Sequence, residues 1–479
     1  MTRQIKADYS ETYLFPPALE DWVGADHPAR FIRGVVDELD LEELGLRPKG
    51  KPRRSQGRGR PHYGAELLLK AWLYGYLNHL RSPRRLETAC MENVGLIWLL
   101  GRHQPDHNTL WRFWRRHRGL IRKVFRQVVR IAVEAEVVGV VLHAVDGTKI
   151  QARASTRRGK QRSRQELVEQ EKALGVWIEH IEAEVKSRAA AEQAESVRLP
   201  KPLQEAKRLR SRILEAIEVL KEQDREWVNL SEPQARTMLC EGGKRLAYNA
   251  QAVVDEQSGM IVGEGVSTDT TDHDQLLPML EETREAVGQT AADTVADPGY
   301  RSDRNIGEAE AQGDSVLVHL FEREGEEAAP YHASRFEYDP ETQQCRCPRG
   351  ELLKFQGWAG SRRDWKDRRY QCVKYRQCPV AGECGTGERG RQVHISPYRE
   401  AVDRQRRRQS QDEAKQKLKR RKVIVEPVFA QMKHNMRFRR WTMWGLDGVQ
   451  SQWTMLCVTH NLKKLLRMWQ AGEFQLATS

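Results

Sequence analysis

The chain has 479 residues, 39% of them hydrophobic and 31% charged, with a net charge of +13. Its length exceeds one simple core and predicts two to four domains, and its basic excess predicts a polyanionic partner, because each Lys or Arg set against a phosphate releases a counterion. No run approaches the roughly 20 apolar residues of a membrane span and residues 1–10 carry no signal-like apolar core, so neither a membrane-spanning helix nor a secretory signal is expected.

A cytoplasmic location is expected, with the eight cysteines reduced or metal-bound rather than disulfide-bonded. Residues 1–135 read as helical. A basic linker over 49–61 precedes a run in which Leu67, Leu68, Trp72, Leu73, Tyr76 and Leu77 recur at helical spacing. Helices over 83–100 and 108–118 are separated by 101–107, where Pro105 interrupts and Asp106 or Asn108 can cap. Helix, short turn and a basic helix presenting Arg112, Arg115 and Arg116 are the parts of a helix-turn-helix DNA reader, and equally of a small bundle with surface arginines.

The character changes at Val137. Residues 137–145 are β-branched and apolar, a buried-strand signal that leads into Asp146-Gly147-Thr148-Lys149-Ile150. Strands over 247–254 and 260–267 are joined by a hairpin at 256–259. A helix over 274–287, a strand over 294–296, a helix over 303–312 and a strand over 315–319 follow, then helices over 423–436 and 449–466. This succession predicts an α/β (α+β) fold, a mixed sheet flanked by helices. Two segments interrupt it. Residues 156–230 carry two apolar stripes (Leu167, Leu174, Ile178, Ile181, Val185; Leu209, Ile213, Ile217, Leu220) around Pro200 and Pro202, a helical hairpin. Residues 330–397 are rich in turn residues and hold five cysteines. The expected domains are 1–135; 136–155 with 231–329 and 398–470; 156–230; and 330–397. The stretch 400–422 carries ten Lys/Arg against four acids and reads as a solvated or a DNA-contacting helix.

Three carboxylates occupy telling places in this order. Asp146 closes the first apolar run, Asp297 follows the strand at 294–296, and Glu426 stands at the start of a late helix beside Pro427. If the two strands are neighbours, both aspartates share one sheet edge, and a helix packed there brings Glu426 alongside. Three such acids repel unless cations sit between them, the design for Mg²⁺ or Mn²⁺. Two ions can activate an attacking oxygen and stabilise a leaving one in phosphoryl displacement. Each acid has a plainer reading: Asp146-Gly147 as a turn dipeptide, Asp297-Pro298-Gly299 as a β-turn, and Glu426 as favourable charge at a helix N-terminus.

The blocks VDGTKIQARAS (145–155), YNAQAVVD (248–255), ADPGYRSDRNI (296–306), VEPVFAQMKHNMRFRRWTMWGL (425–446) and HNLKKL (460–465) resemble those of bacterial insertion-sequence transposases with an RNase H-like DDE domain. The stretch 64–117 is similar to the helical domain that precedes it in that family. The resemblance implies an RNase H-like fold and metal-dependent cleavage and strand transfer at the terminal inverted repeats of an element. It also implies two Mg²⁺ or Mn²⁺ ions on Asp146, Asp297 and Glu426, double-stranded DNA as partner, and a homodimer on that DNA. Lys433 stands seven positions after Glu426, on the same face of a regular helix, where both can meet one phosphate. Where the family often places an arginine before the glutamate this chain has Lys422, with Arg421 adjacent, and Lys419 stands where some relatives carry a tyrosine. Arg437, beside Trp441 and Trp444, is a further DNA-contact candidate. A regulator that binds DNA without cutting it, and a nuclease of the same fold that does not join strands, are the alternatives.

Cys347, Cys372, Cys378 and Cys384, with Cys345 as an alternative ligand, are enough thiolates for tetrahedral Zn²⁺, and related transposases carry a similar cluster in the same insertion. Unligated thiols are the competing reading. Trp358, Trp365, Tyr370 and Tyr375 lie among Arg362, Arg363, Lys366, Arg368 and Arg369. They suit stacking on unpaired bases, or the burial of aromatics in a small β-insertion.

Overall fold

The computed structural model describes residues 18–46, 63–154, 161–192, 200–320, 330–360, 365–385 and 390–476, and the side chains of these except 188–192. The expected linker at 49–61, and Arg362 and Arg363, lie outside them. Six helices precede the first long strand among the described residues: α1 (Pro28–Glu38), α2 (Ala65–Leu77), α3 (Pro83–Glu92), α4 (Val94–Leu99), α5 (His107–Arg116) and α6 (Arg118–Glu134). The helix expected over 83–100 is two, because Asn93 ends α3 and its Oδ1 accepts from Leu96 N at 2.9 Å, capping α4. Asp106 caps α5 through Thr109 N at 2.7 Å. Helix α2 is buried almost all round, with Trp72 and Tyr76 packed on Trp114 of α5.

Strand β1 (Leu142–Gln151) starts later than the apolar run suggested and continues through Asp146 and Gly147. The reading of that dipeptide as a turn, and of Asp146 as the strand's end, is thereby corrected. Glu136, with φ of 58°, turns the chain out of α6 instead. A short ribbon, β2 (Gln161–Ser163) with β3 (Trp227–Asn229), brackets the expected hairpin of α7 (Arg164–Glu192) and α8 (Lys201–Glu222). Then come β4 (Arg236–Cys240), β5 (Gly243–Asp255), β6 (Ile261–Ser267), α9 (Leu276–Val287), β7 (Asp293–Ala296), α10 (Asp303–Ala311) and β8 (Val316–Val318).

The sheet runs β6-β5-β1-β7-β8, with β4 pairing the first half of β5. The pairs β6–β5 and β5–β1 are antiparallel, and β1–β7 and β7–β8 parallel. This is the RNase H-like arrangement. Alternation along β5 sends Ala250 and Ala252 to the face of Asp146, and Asn249, Gln251 and Val253 to the other. Gly263 and Gly265 of β6 let α9 approach that second face: an added Cβ would lie 2.2 Å from Thr283 Oγ1 and 3.1 Å from Met279 Sδ respectively.

Residues 330–397 form a separate antiparallel sheet of β9 (Glu337–Asp339), β10 (Gln344–Arg346), β11 (Leu352–Ala359), β12 (Asp367–Gln371) and β13 (Gln392–Ile395). Helix α11 (Arg399–Gln409) leads to α12 (Asp412–Ala430), a π turn (Gln431–Asn435) and α13 (Gly445–Ala471). Glu426 and Pro427 therefore lie near the C-terminal end of a 19-residue helix, not at the start of one. Helix α13 is buried over most of its surface, between β6 and the early helices. Asn461 brackets Ile261, accepting from its N at 2.8 Å and donating to its O at 2.7 Å, where β5 and β6 lose regular register. One apolar core runs from α1 through the sheet to α12 and α13, while the hairpin and the five-stranded sheet have cores of their own.

Candidate active site

Strands β1 and β7 are parallel with Val145 opposite Ala296. The next residue on each, Asp146 and Asp297, therefore emerges side by side. Asp297 also opens the turn that its Pro-Gly suggested, its Oδ1 accepting from Gly299 N at 3.0 Å. Between the two carboxylates lies Arg421 of α12, with Nη1 2.7 Å from Asp146 Oδ2 and Nη2 2.9 Å from Asp297 Oδ2. The guanidinium side chain is only 10% exposed. Burial pushes the Asp146 carboxyl up against the pull of Arg421, and the neighbouring charge of Asp297 adds to the rise. A single planar cation thus balances a pair of acids that could not otherwise stand so close. One turn earlier, Lys417 Nζ meets Asp293 Oδ2 at 2.7 Å and Arg408 pairs with the same carboxylate, so α12 is fastened along β7 at both ends.

The other expected site residues are placed differently. Glu426 lies five residues beyond Arg421, which at about 100° per residue is roughly 140° round the helix, and it is exposed. Among the described residues no group of three or more His, Cys, Asp or Glu is close enough to hold a metal ion. Asp146 and Asp297 come together, and Glu426 does not join them in this conformation. Lys433 sits in the π turn, where Met436 N bonds Gln431 O at 2.8 Å, so the seven-step α-helical phase from Glu426 does not carry across. It lines a groove of 370 Å³ with Lys149, Gln151, Cys240, Phe438 and Arg439. Lys422 and Arg437 are exposed, as are Arg112, Arg115 and Arg116 on α5.

In the five-stranded sheet Cys345 is fully buried in the apolar core. Cys347, Cys372, Cys378 and Cys384 are half-buried. Burial pushes the Cys384 thiol up against the pull of Arg391, and Cys372, Cys378 and Cys347 lie near enough to add to the rise. The aromatics divide. Tyr370 and Trp441 are core residues, 2% and 1% exposed, whereas Trp358 and Trp444 are 56% and 46% exposed with Arg368 and Arg153 stacked over them.

Sequence reasoning missed a polar group on the opposite face of the sheet, behind Asp146: Asp272 with Asn249, Gln251, Lys149 and Tyr300. The signal was present in YNAQAVVD, where Asn249 and Gln251 interrupt, on one face only, a strand otherwise apolar.

Two family models match the chain: the Transposase domain (DUF772) over residues 17–116, and the Transposase DDE domain over residues 346–466. The second match takes in Glu426, Lys433, Cys347, Cys372, Cys378 and Cys384, and leaves Asp146, Asp297 and Cys345 before it. Comparison with curated proteins and with solved structures returns no match. An RNase H-like sheet with paired aspartates thus stands in a chain that matches a transposase domain model over 17–116 and a transposase DDE domain model over 346–466, each under half of its length.

Proposed function

We propose that the chain cuts and joins DNA at the terminal inverted repeats of an insertion sequence, with Asp146, Asp297 and Glu426 as its catalytic acids. The observation that carries this reading is the side-by-side emergence of Asp146 and Asp297 from parallel strands, balanced by one buried cation. That pair suits Mg²⁺ or Mn²⁺ by its donor chemistry, hard carboxylate oxygens already holding a positive charge between them. Divalent ions held there supply the activation of an attacking oxygen and the stabilisation of a leaving one. Asp146 and Asp297 would hold two such ions, with Glu426 completing the set once the end of α12 turns it inward. Lys433, Lys422 and Arg437 would steady the DNA backbone beside the groove, and Arg112, Arg115 and Arg116 would bind it from α5. Water, then a DNA 3′-hydroxyl, is the attacking group, and pairing two element ends calls for a homodimer. No helix among the described residues is long and apolar enough to cross a membrane, which accords with work on cytoplasmic DNA. The test is cleavage of duplexes taken from the DNA flanking the gene. Asp146→Asn, Asp297→Asn and Glu426→Gln should each abolish Mg²⁺-dependent cutting while gel-shift affinity persists. Full cutting by all three would overturn the assignment.

A second, structural metal is proposed on the cysteines, although among the described residues no three of them are gathered to ligand distance of one ion. Cys347, Cys372, Cys378 and Cys384 would hold Zn²⁺ at one end of the five-stranded sheet, and the buried Cys345 would stay in its core. Metal analysis of the purified chain should find one zinc, lost on replacing any of the four by Ser and kept in Cys345→Ala.

A further inference from the structure

We propose that Asp272 is a positioning residue that holds the aspartate pair in register from the far face of the sheet. This rests on the reading of Asp146 and Asp297 given above. Asp272 lies in the loop between β6 and α9 with its side chain 17% exposed. Its Oδ1 accepts from Asn249 Nδ2 at 2.6 Å and from Gln251 Nε2 at 2.8 Å, and its Oδ2 meets Lys149 Nζ at 3.0 Å. Lys149 pairs across the sheet with Asn249, and Gly147 with Gln251. One carboxylate therefore clamps β1 to β5 at the residues that follow Asp146.

The closeness of the clamp explains the glycine beside the first aspartate. A Cβ at Gly147 would stand 2.5 Å from Gln251 Nε2 and 2.8 Å from Asp272 Oδ1, inside any real contact distance. The same group reaches the second aspartate. The Tyr300 hydroxyl, three residues beyond Asp297, donates to Gln251 Oε1. Asn305 Nδ2 donates to Tyr300 O at 2.7 Å and to His273 O at 2.5 Å, tying the loop of Asp272 to the turn after Asp297. An added Cβ at Gly299 would lie 3.4 Å from Asp297 Oδ1 and 3.6 Å from Asp272 Oδ2, so Asp272 reaches the turn that Asp297 opens. Asp272 touches both the strand that carries Asp146 and the turn that carries Asp297. With both oxygens engaged by donors, it acts through its neighbours rather than on substrate.

An Asn at this position keeps the volume but sets an amide donor against either the Lys149 ammonium or the Asn249 and Gln251 amides. The experiment uses the full chain and Mn²⁺ alone, with free ion measured by electron paramagnetic resonance. Alongside it run thermal unfolding and single-turnover cleavage of a duplex from the gene's flanks at graded Mn²⁺. Asp272→Asn should unfold close to the wild-type temperature yet bind Mn²⁺ about ten-fold more weakly, the lower end of what groups behind metal ligands contribute. Half-maximal cleavage should shift by the same factor and recover at saturating Mn²⁺, a rescue that a general loss of structure does not give. Tyr300→Phe, nearly isosteric, should move both readouts in the same direction and serves if Asp272→Asn fails to fold. Unchanged Mn²⁺ affinity and half-saturation in both variants overturns the proposal, as does cleavage lost at every Mn²⁺ concentration with binding intact. If Asp146→Asn binds Mn²⁺ and cuts like wild type, the reading of the aspartate pair fails instead.

Discussion

Arg421 stands where a divalent cation would have to enter between Asp146 and Asp297, so the guanidinium and the metal compete for the same two carboxylates. Removing the arginine leaves two acids, 24% and 39% exposed, facing each other, a loss that solvent screening keeps below the about 3–5 kcal/mol of a fully buried pair. The same change removes the competitor. Arg421→Ala should therefore unfold at a lower temperature than wild type without metal, and gain more stability from added Mg²⁺, by binding linkage. Thermal scans at graded Mg²⁺ check both halves. An equal Mg²⁺ increment in the two proteins would show that the arginine does not guard the site. This residue also marks a limit of the sequence reading. The position where the resembling family places an arginine before the glutamate pointed to Lys422, with Arg421 adjacent, as phosphate contacts, but which face of α12 meets the sheet is set by packing of Val425 and Val428, both 3% exposed or less. Periodicity in a helix that carries cations on several sides does not reveal that phase.

At the scale of elements, strands announced themselves better than loops. The hairpin of β5 and β6, the short β7 and helix α10 lie where alternation and capping residues put them, because both signals are local. The start of β1 was misplaced because 137–141 is as apolar as a strand while serving as a link out of α6, in which Val137 and Val138 are buried and Val141 is exposed. Asp272 was invisible among the polar residues of 267–275, since its role depends on cross-sheet register. So was the junction where β6, α6, α9 and α13 meet around Glu264. Its carboxylate lies 3.1 Å from Arg122 Nε and accepts from Gln450 Nε2 at 2.7 Å and Thr454 Oγ1 at 2.9 Å. Burial nonetheless pushes it up to about 7, with Glu282 nearby adding to the rise. A folded-state value above the unfolded one favours the fold when the group is protonated. The contribution is full below about 4.5 and is lost as pH rises through 7. Glu264→Gln cannot titrate, so its stability relative to wild type should rise between pH 5 and pH 8, by on the order of 3 kcal/mol at most. Urea unfolding at the two pH values measures this, and parallel changes in both proteins would refute it.

For the molecule as a whole, the helices before β1 and the RNase H-like sheet share one apolar core, closed by α13 lying between them. Cooperative unfolding of these parts together follows, because neither buries its apolar face without the other. The α7–α8 hairpin is different. Its core of Leu167, Ile213, Ala216, Ile217, Leu220 and Val228 is separate from the main one. Its two ends meet in the β2–β3 ribbon, where Gln161 faces Asn229 and Ser163 faces Trp227. Chain entering and leaving at neighbouring points can be cut short at small entropic cost, since a brief turn spans the gap. Replacing residues 164–226 by a short Gly-containing turn should therefore leave a folded protein, with the main thermal transition within a few degrees of wild type, about 1 kcal/mol for a chain this size. Circular dichroism should show helix lost in proportion to α7 and α8 and no more. If the shortened chain fails to fold, or melts far below the full one, the hairpin supports the main core through contacts that its separate cluster does not suggest. Retention of the transition together with Mn²⁺ binding would mean that the acids are held by the sheet and α12 alone, and that the hairpin serves the DNA-bound assembly rather than the stability of the site.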